Sequence, residues 1–413
     1  MTKKEQNAYA NQAAPDVASR LVCYGIEPDT GVPILIDRTS LPSSCEFLCS
    51  TFEREMLEHE IRQIRDIYPQ DEIIILDSLA HHRAFCKELG GQIISVYQDP
   101  NVFLNPFDVP VNLDIDKAAD FEMWVHHKQL LMIAFMEIAV GKLTAEEEKV
   151  ICEATELACE NAMFATDIWM DADGSYCEGH PLPTLKDFDD QLRNEIALDF
   201  VRIRFKLEQL AYEWTPRLST TLGAYAERTN VAIKNKLISY DFYNSDDRYM
   251  PIGAVWLGML VCLEQIRNRA IANAARNART WVFIDDVSLL CQRSMSAGLL
   301  LSFCKEARML NCYPTFGFLD AWWLNSDRGH FPADGFQVET ALLKNSSLVR
   351  ATGEDRRYRR FAELMHWPIE YESQICDYRS EDVYGIVQCG AETKTFFFRG
   401  DELVASEDIQ PEL

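Results

Sequence analysis

Apolar positions along this chain switch between two periods, and the switches mark out its elements. From Leu21, "LVCYGI" reads as a strand and "EPDTG" as a turn, with "VPILIDR" and "SCEFLCS" as further strands. In "FEREMLEHEIRQIRDIY" the residues Met56, Leu57, Ile61, Ile64 and Ile67 recur at helical spacing among charges, which predicts an amphipathic helix. "EIIILD" (Glu72 to Asp77) is a continuous apolar run, the pattern of a strand buried on both faces of a parallel sheet. A helix to Leu89 stops at Gly90–Gly91, and "QIISVY" is the next strand. This β–α–β–α–β order predicts an α/β fold with a mostly parallel sheet flanked by helices.

Residues 116–222 read as an inserted all-helical subdomain, broken by the acidic loop "DADGSYCEGHPLP". The sheet resumes at "LISYDFY", followed by the long helix "GAVWLGMLVCLEQIRNRAIANAA" and the strand "TWVFIDD". The helix "AGLLLSFCKEARML" and the strands "YPTFGFLD", "SSLVRAT", "VYGIVQC" and "TKTFFFRG" complete it, with one more helix around "RRFAELMHW". The expected organisation is an extension at 1–19, a first core part at 20–115, the insertion at 116–222 and a second core part at 223–413. No internal repeat is visible.

Composition narrows the function classes. With 413 residues, 47% hydrophobic and 25% charged, the chain can bury a large core. A formal net charge of -25 argues against broad nucleic-acid binding, which rests on phosphate neutralisation by Lys and Arg. The Arg-rich run "EDRRYRR" reads as a solvated helix face. Thirteen cysteines lie scattered in apolar segments, as small buried hydrophobes of a reducing compartment do. Cys45 and Cys49 lack a matching pair, and His81–His82 and His126–His127 are expected to point to opposite sides of their elements, so no metal chelate is predicted. "LLMIAFMEIAV" is too short to span a bilayer and contains Glu137, so it reads as a core helix.

Four stretches in register resemble the motor domain of the large conjugative type IV secretion ATPases, the VirB-four/TraC/TraE family. They are "YGIEPDTGVPILIDR", "ELGGQIISVYQDPNVFLNPFDV", "ERTNVAIKNKLISYDF", and "RTWVFIDDVSLL" with "FCKEARMLNCYPTFGF". The likeness spans roughly residues 20 to 400 and implies a RecA-like (P-loop NTPase-like) core with a helical insertion. It also implies that the family's separate N-terminal domain is absent from this chain. In this family the aspartates ending "TWVFIDD" would be a Walker B pair, Asp285 holding Mg²⁺ and Asp286 polarising the attacking water. Arg308 matches a basic residue that can reach a neighbouring subunit's nucleotide.

The phosphate loop that such a pair needs is missing. A P-loop requires glycines for a backbone cradle, a lysine for the β- and γ-phosphates and a Ser or Thr for the metal. Its eight positions fall on Leu48 to Glu55, "LCSTFERE", and no glycine lies between Gly31 and Gly90. Arg54 lands on the lysine position and is the one nucleotide-binding candidate. Glu53 and Glu55 would set carboxylates beside a triphosphate. "GKLT" (Gly141 to Thr144) is a chance echo. The family's γ-phosphate sensor is replaced by Leu319, the second acid is Asp286 instead of Glu, and Glu306 replaces a basic residue.

These losses predict a non-hydrolysing scaffold or regulatory subunit of a conjugation machine. Its expected partners are the other secretion proteins, an intact ATPase paralogue or further copies of itself. Its expected place is the cytoplasm, at the inner membrane face through partners. No cofactor is expected, with ATP and Mg²⁺ only if the site works. Asp285 and Asp286 then survive as a helix N-cap and strand-end acceptors, and Arg308 as a surface salt bridge. The alternatives are an active ATPase using Arg54, and a different ligand in the vacated cleft beside Asp320, Trp322 and Trp323.

Overall fold

The computed structural model describes residues 20–50, 52–99, 101–165, 167–170, 176–179, 181–199, 223–242, 252–318, 340–352, 362, 365–367 and 383–398. The 1–19 extension, the "EDRRYRR" run, Leu319, Asp320, Trp322 and Trp323 lie outside them.

The strands are β1 (Val22–Ile26), β2 (Pro33–Ile36), β3 (Glu46–Cys49), β4 (Glu72–Asp77), β5 (Gln92–Ser95), β6 (Asp167–Met170), β7 (Tyr176–Gly179) and β8 (Leu237–Asp241). They continue as β9 (Thr280–Ile284), β10 (Cys312–Phe318), β11 (Leu348–Thr352), β12 (Val383–Cys389) and β13 (Glu392–Phe398). The helices are α1 (Glu53–Ile67), α2 (Arg83–Glu88), α3 (Ala118–Val140), α4 (Ala145–Phe164), α5 (Leu185–Asp199), α6 (Ile252–Ala274) and α7 (Ser294–Ala307).

An 11-stranded sheet runs in the order β2-β1-β13-β12-β11-β3-β10-β9-β4-β8-β5. From β11 to β5 every neighbouring pair is parallel. From β11 outward to β2 every pair is antiparallel. The mostly parallel sheet read from the sequence is therefore extended by an antiparallel flank. The late strands β9 and β10 insert between β3 and β4, an ordering that local patterning cannot specify.

Alternate residues of each central strand feed opposite cores. Ile73, Ile75, Trp281, Phe283 and Leu48 pack under α1, while Ile74, Leu76, Val282, Ile284 and Phe47 join α3, α6 and α7. Burial of both faces is why these strands read as unbroken apolar runs. The stretch "LLMIAFMEIAV" lies within α3, with Leu131, Met132 and Phe135 buried. At the start of α4 a Thr144–Glu147 capping box closes the helix terminus.

The all-helical expectation for 116–222 needs one correction. β6 and β7 pair antiparallel there, with Asp167 opposite Gly179, across a stretch read as part of a loop. Tyr176 and Cys177 favour a strand locally, but four-residue strands carry too little periodicity to be legible. Among the described residues no helix is long and apolar enough to cross a membrane.

Candidate functional site

The carboxyl ends of the parallel strands bring together Ser50 after β3, Asp77 on β4, Asp241 on β8, Asp285 and Asp286 after β9, and Thr352 on β11. In an open α/β sheet this edge is where ligands bind. β9 stands one strand away from β3, with β10 between them. The loop after β3 and the aspartate turn after β9 therefore face each other across the end of β10.

The connection from Cys49 to Glu53 is short, covering only positions 50–52. The Phe52 amide donates to Ser50 Oγ at 2.9 Å, and Ser50 Oγ bonds the hydroxyl of Thr352. α1 then starts with Glu53, whose side chain is 1% exposed and lies flat on β10 at Gly317. The Asp286 amide donates to Glu53 Oε1 at 3.3 Å. A carboxyl thus fills the space between the start of α1, the end of β10 and the aspartate turn.

Burial, and then the Asp285 charge beside it, push the Glu53 carboxyl well above the usual carboxylate range. The Glu53 and Asp285 carboxyls are thus pushed in opposite directions, Glu53 up and Asp285 down. Burial would raise Asp285 too, but the nearby His81 ring and the His82 charge outweigh it and hold Asp285 low. His81 Nδ1 lies 3.6 Å from Asp285 Oδ2, and His82 Nε2 lies 4.0 Å from the same oxygen.

His82 is fully buried and its Nδ1 is 3.1 Å from Glu58 Oε1. Burial opposes its charge, but the Glu58 hydrogen bond and the Asp77 and Asp285 carboxylates prevail, raising it to about 9. Asp77 accepts the amides of His81 and His82, both at 2.9 Å, and burial pushes it up to about 6. The two histidines therefore converge on one carboxylate, contrary to the expectation that they diverge. They occupy a tight turn anchored by Asp77 instead of a regular element, so alternation of sides does not apply. No group of three or more His, Cys, Asp or Glu among the described residues has the geometry to hold a metal ion.

The other sequence candidates sit as follows. Arg54 is 40% exposed and its Nε bonds Glu58 Oε1 at 3.2 Å, one helical turn on. Asp286 has a left-handed backbone (φ 49°) and stands at the N-cap of a 3-10 turn, Val287–Gln292. Its carboxylate accepts the Ser288 hydroxyl, and no backbone amide is capped by it. The backbone bond from the Asp285 amide to Leu76 O, at 3.0 Å, extends the β4–β9 pairing. Arg308 caps the far end of α7, where its guanidinium donates to the carbonyls of Leu41 and Pro42, and among the described residues it forms no salt bridge. Glu306 pairs with Arg267 at 2.9 Å. Reading the sequence missed Asp77, His82, Glu58 and Gly317. The one visible signal was an acid ending each apolar strand, in "EIIILD" and "LISYD".

A Cβ added at Gly317 would meet Glu53 Oε1 at 1.6 Å, so the carboxyl lies directly on the strand. Gly317→Ala is expected to expel that carboxyl and cost about 1–3 kcal/mol, as overpacking does. Adding Glu53→Ala is expected to restore part of the loss. Urea denaturation of the single and double variants measures both, and a wild-type midpoint for Gly317→Ala would refute the packing described.

No family model and no curated protein matches this sequence. Solved structures do. VirB4 of Thermoanaerobacter pseudethanolicus superposes with a TM-score of 0.68 at 15% identity, over 91% of this chain and 95% of that one. The plasmid coupling protein TrwB in complex with ADP and Mg²⁺ gives a TM-score of 0.56 at 10% identity, over 97% of this chain and 92% of that one. The sulphate complex of the bacterial conjugative coupling protein TrwB gives 0.52 at 10% identity, over 92% and 90%. These likenesses establish a shared fold, the RecA-like sheet that the sequence implied.

Proposed function

We propose that this chain is a non-hydrolysing relative of the conjugative type IV secretion ATPases, acting as a scaffold or regulatory subunit in a transfer machine. One observation carries this reading: the buried Glu53 carboxyl accepts the Asp286 amide and lies against Gly317 of β10, where on this reading a phosphate cradle would stand. A triphosphate brought there would meet Glu53 and Asp285 across a connection without glycine. Arg54 offers no remedy, because its guanidinium is turned to Glu58 on the helix surface.

On this reading Asp285 and Asp286 are vestiges of a Walker B pair. Their present work is structural: Asp285 receives the two histidines and Asp286 closes the turn. Proteins of the same fold are a VirB4 and a coupling protein that binds ADP and Mg²⁺. That kinship supports partners drawn from conjugative machinery, an intact paralogue or copies of this chain among them, at the cytoplasmic membrane face. The acidic net charge favours protein partners over nucleic acid.

Calorimetric titration with ATP and Mg²⁺ tests the proposal. The expected result is no heat and no rise in melting temperature up to millimolar ATP. A ligand at a hundred times its Kd would add roughly 2.7 kcal/mol of stability, so silence is informative. Micromolar binding, with turnover abolished by Asp285→Ala, would establish the active-ATPase reading instead.

A further inference from the structure

An open cavity of about 390 Å³ lies at the amino edge of the sheet, opposite the carboxyl cluster. Arg65 and Asp66 line it from the last turn of α1, and Lys236 from the residue before β8. Its apolar lining is Pro69 with Ile73 of β4 and Leu237 of β8, which face each other across the two strands. A volume of this size falls within the range of small-molecule sites, about 300–1,000 Å³.

The frame around the cavity is fixed. The Ile73 amide donates to the Lys236 carbonyl at 2.7 Å. Asn235 Oδ1 accepts the amides of Lys236 and Leu237, and its Nδ2 donates to the Gly90 carbonyl at 2.6 Å. Tyr68, which follows α1, stacks on Trp281 with ring centres 5.3 Å apart. Asp71 is engaged by Arg279 Nε at 2.7 Å and by Trp281 Nε1 at 2.9 Å, so its charge is already answered.

Three lining charges are not. Among the described residues, the side chains of Arg65, Asp66 and Lys236 make no hydrogen bond and no ion pair. The helix adds a further group. Pro69 has no amide, so the Arg65 carbonyl lacks the donor that would follow it four residues on. Carbonyls at a helix C-terminus favour a positive charge. The cavity therefore offers two cations to a carboxylate, and one carboxylate with a helix C-terminus to an ammonium group.

We propose that this cavity binds a small zwitterion of the amino-acid class. Its carboxylate lies between Arg65 and Lys236, and its ammonium group lies toward Asp66 and the end of α1. A guanidinium can hold a carboxylate through two parallel N–H···O bonds, which the lysine supports as a point charge. A short apolar side chain rests on Pro69, Ile73 and Leu237. Asp66 separates this ligand from a plain anion, which it would repel. A nucleoside triphosphate supplies no ammonium group and meets the same repulsion, so the ATP titration reports on the other edge of the sheet. Once bound, the zwitterion ties the end of α1 to β4 and β8.

Isothermal calorimetry of the full chain tests this with L-leucine, its deaminated analogue isocaproate and its decarboxylated analogue isoamylamine. L-leucine is expected to bind, and each analogue to bind at least about tenfold more weakly. Arg65→Gln and Asp66→Asn are each expected to weaken L-leucine by a similar factor, whereas Arg193→Gln on α5 leaves it unchanged. Arg65 and Asp66 are exposed, so both variants should keep the wild-type melting temperature. Isocaproate binding as well as L-leucine, or L-leucine binding that ignores Arg65→Gln, would overturn the proposal. So would the absence of heat with glycine, L-leucine and L-phenylalanine alike up to millimolar concentration.

Discussion

Arg38→Ala is expected to cost about 3–5 kcal/mol of folding stability, because it breaks a fully buried ion cluster. Arg38 Nη1 lies 2.8 Å from Glu60 Oε1 and 3.0 Å from Glu46 Oε2, with every side chain about 1% exposed or less. Arg350 pairs with the other oxygens of the same two glutamates. Thr315 Oγ1 accepts from Arg38 at 2.6 Å, and the Tyr24 hydroxyl donates to Glu60 at 3.1 Å. The cluster joins β1, β3, β10 and β11 to α1, so it fastens the antiparallel flank to the parallel sheet.

Removing one cation leaves two buried carboxylates with a single partner, and neither can reach water. Burial already raises Glu46 to about 7, whereas the Arg350 and Arg38 charges overcome burial at Glu60 and hold it low. The double variant Arg38→Met/Glu60→Gln is expected to recover much of the loss, since it deletes one charge of each sign. Urea denaturation at pH 7 measures both. A loss below about 1 kcal/mol for Arg38→Ala would mean that the cluster is hydrated, not sealed.

Stability is expected to fall as pH rises from about 5 to 9. His82 has a folded value of about 9 against an ordinary 6.5. Its contribution is complete below 6.5 and is lost as pH climbs through 9, on the order of 3 kcal/mol in all. Glu46, at about 7, and Glu53, well above its ordinary range, keep protons that the unfolded chain sheds near pH 4.5. Each therefore loses stability above pH 4.5, in the same direction as His82. Asp77 adds a smaller loss up to about 6. Asp285 and Glu60 run the other way but act only below pH 4.5, as their depressed carboxylates are protonated.

Thermal melts across this range should show the slope, and His82→Gln should flatten its upper half. Glu53→Gln, an uncharged stand-in for the protonated acid, should match the wild type near pH 5 and exceed it at pH 8. A wild-type melting temperature that is constant from pH 6.5 to 9 would contradict the buried imidazolium.

Much of this fold was legible because its strands and helices carry their burial in their periodicity. The runs at Glu72–Asp77 and Thr280–Ile284 are unbroken because both faces are covered. The spacing of Met56, Leu57, Ile61 and Ile64 marks one apolar stripe, and all four are buried. The absence of glycine between Gly31 and Gly90 was likewise read directly from the sequence.

The surroundings of Glu53 were not legible. Glu53 was visible as an awkward charge, but the upward push on its carboxyl depends on burial and on Asp285, 232 positions later, and its place depends on Gly317, which leaves room for it on β10. His82 gave no sign of its charge, because Glu58 comes to it from another element. The burial of Arg38 and Arg350 was not legible either, because it is the pairing of β11 with β3 that closes water out around them. Local sequence determined the elements, since burial pattern and backbone preference act over a few residues. Only the tertiary structure decided the protonation states and ion pairs, because desolvation and Coulomb interaction depend on distances that the chain sets by folding.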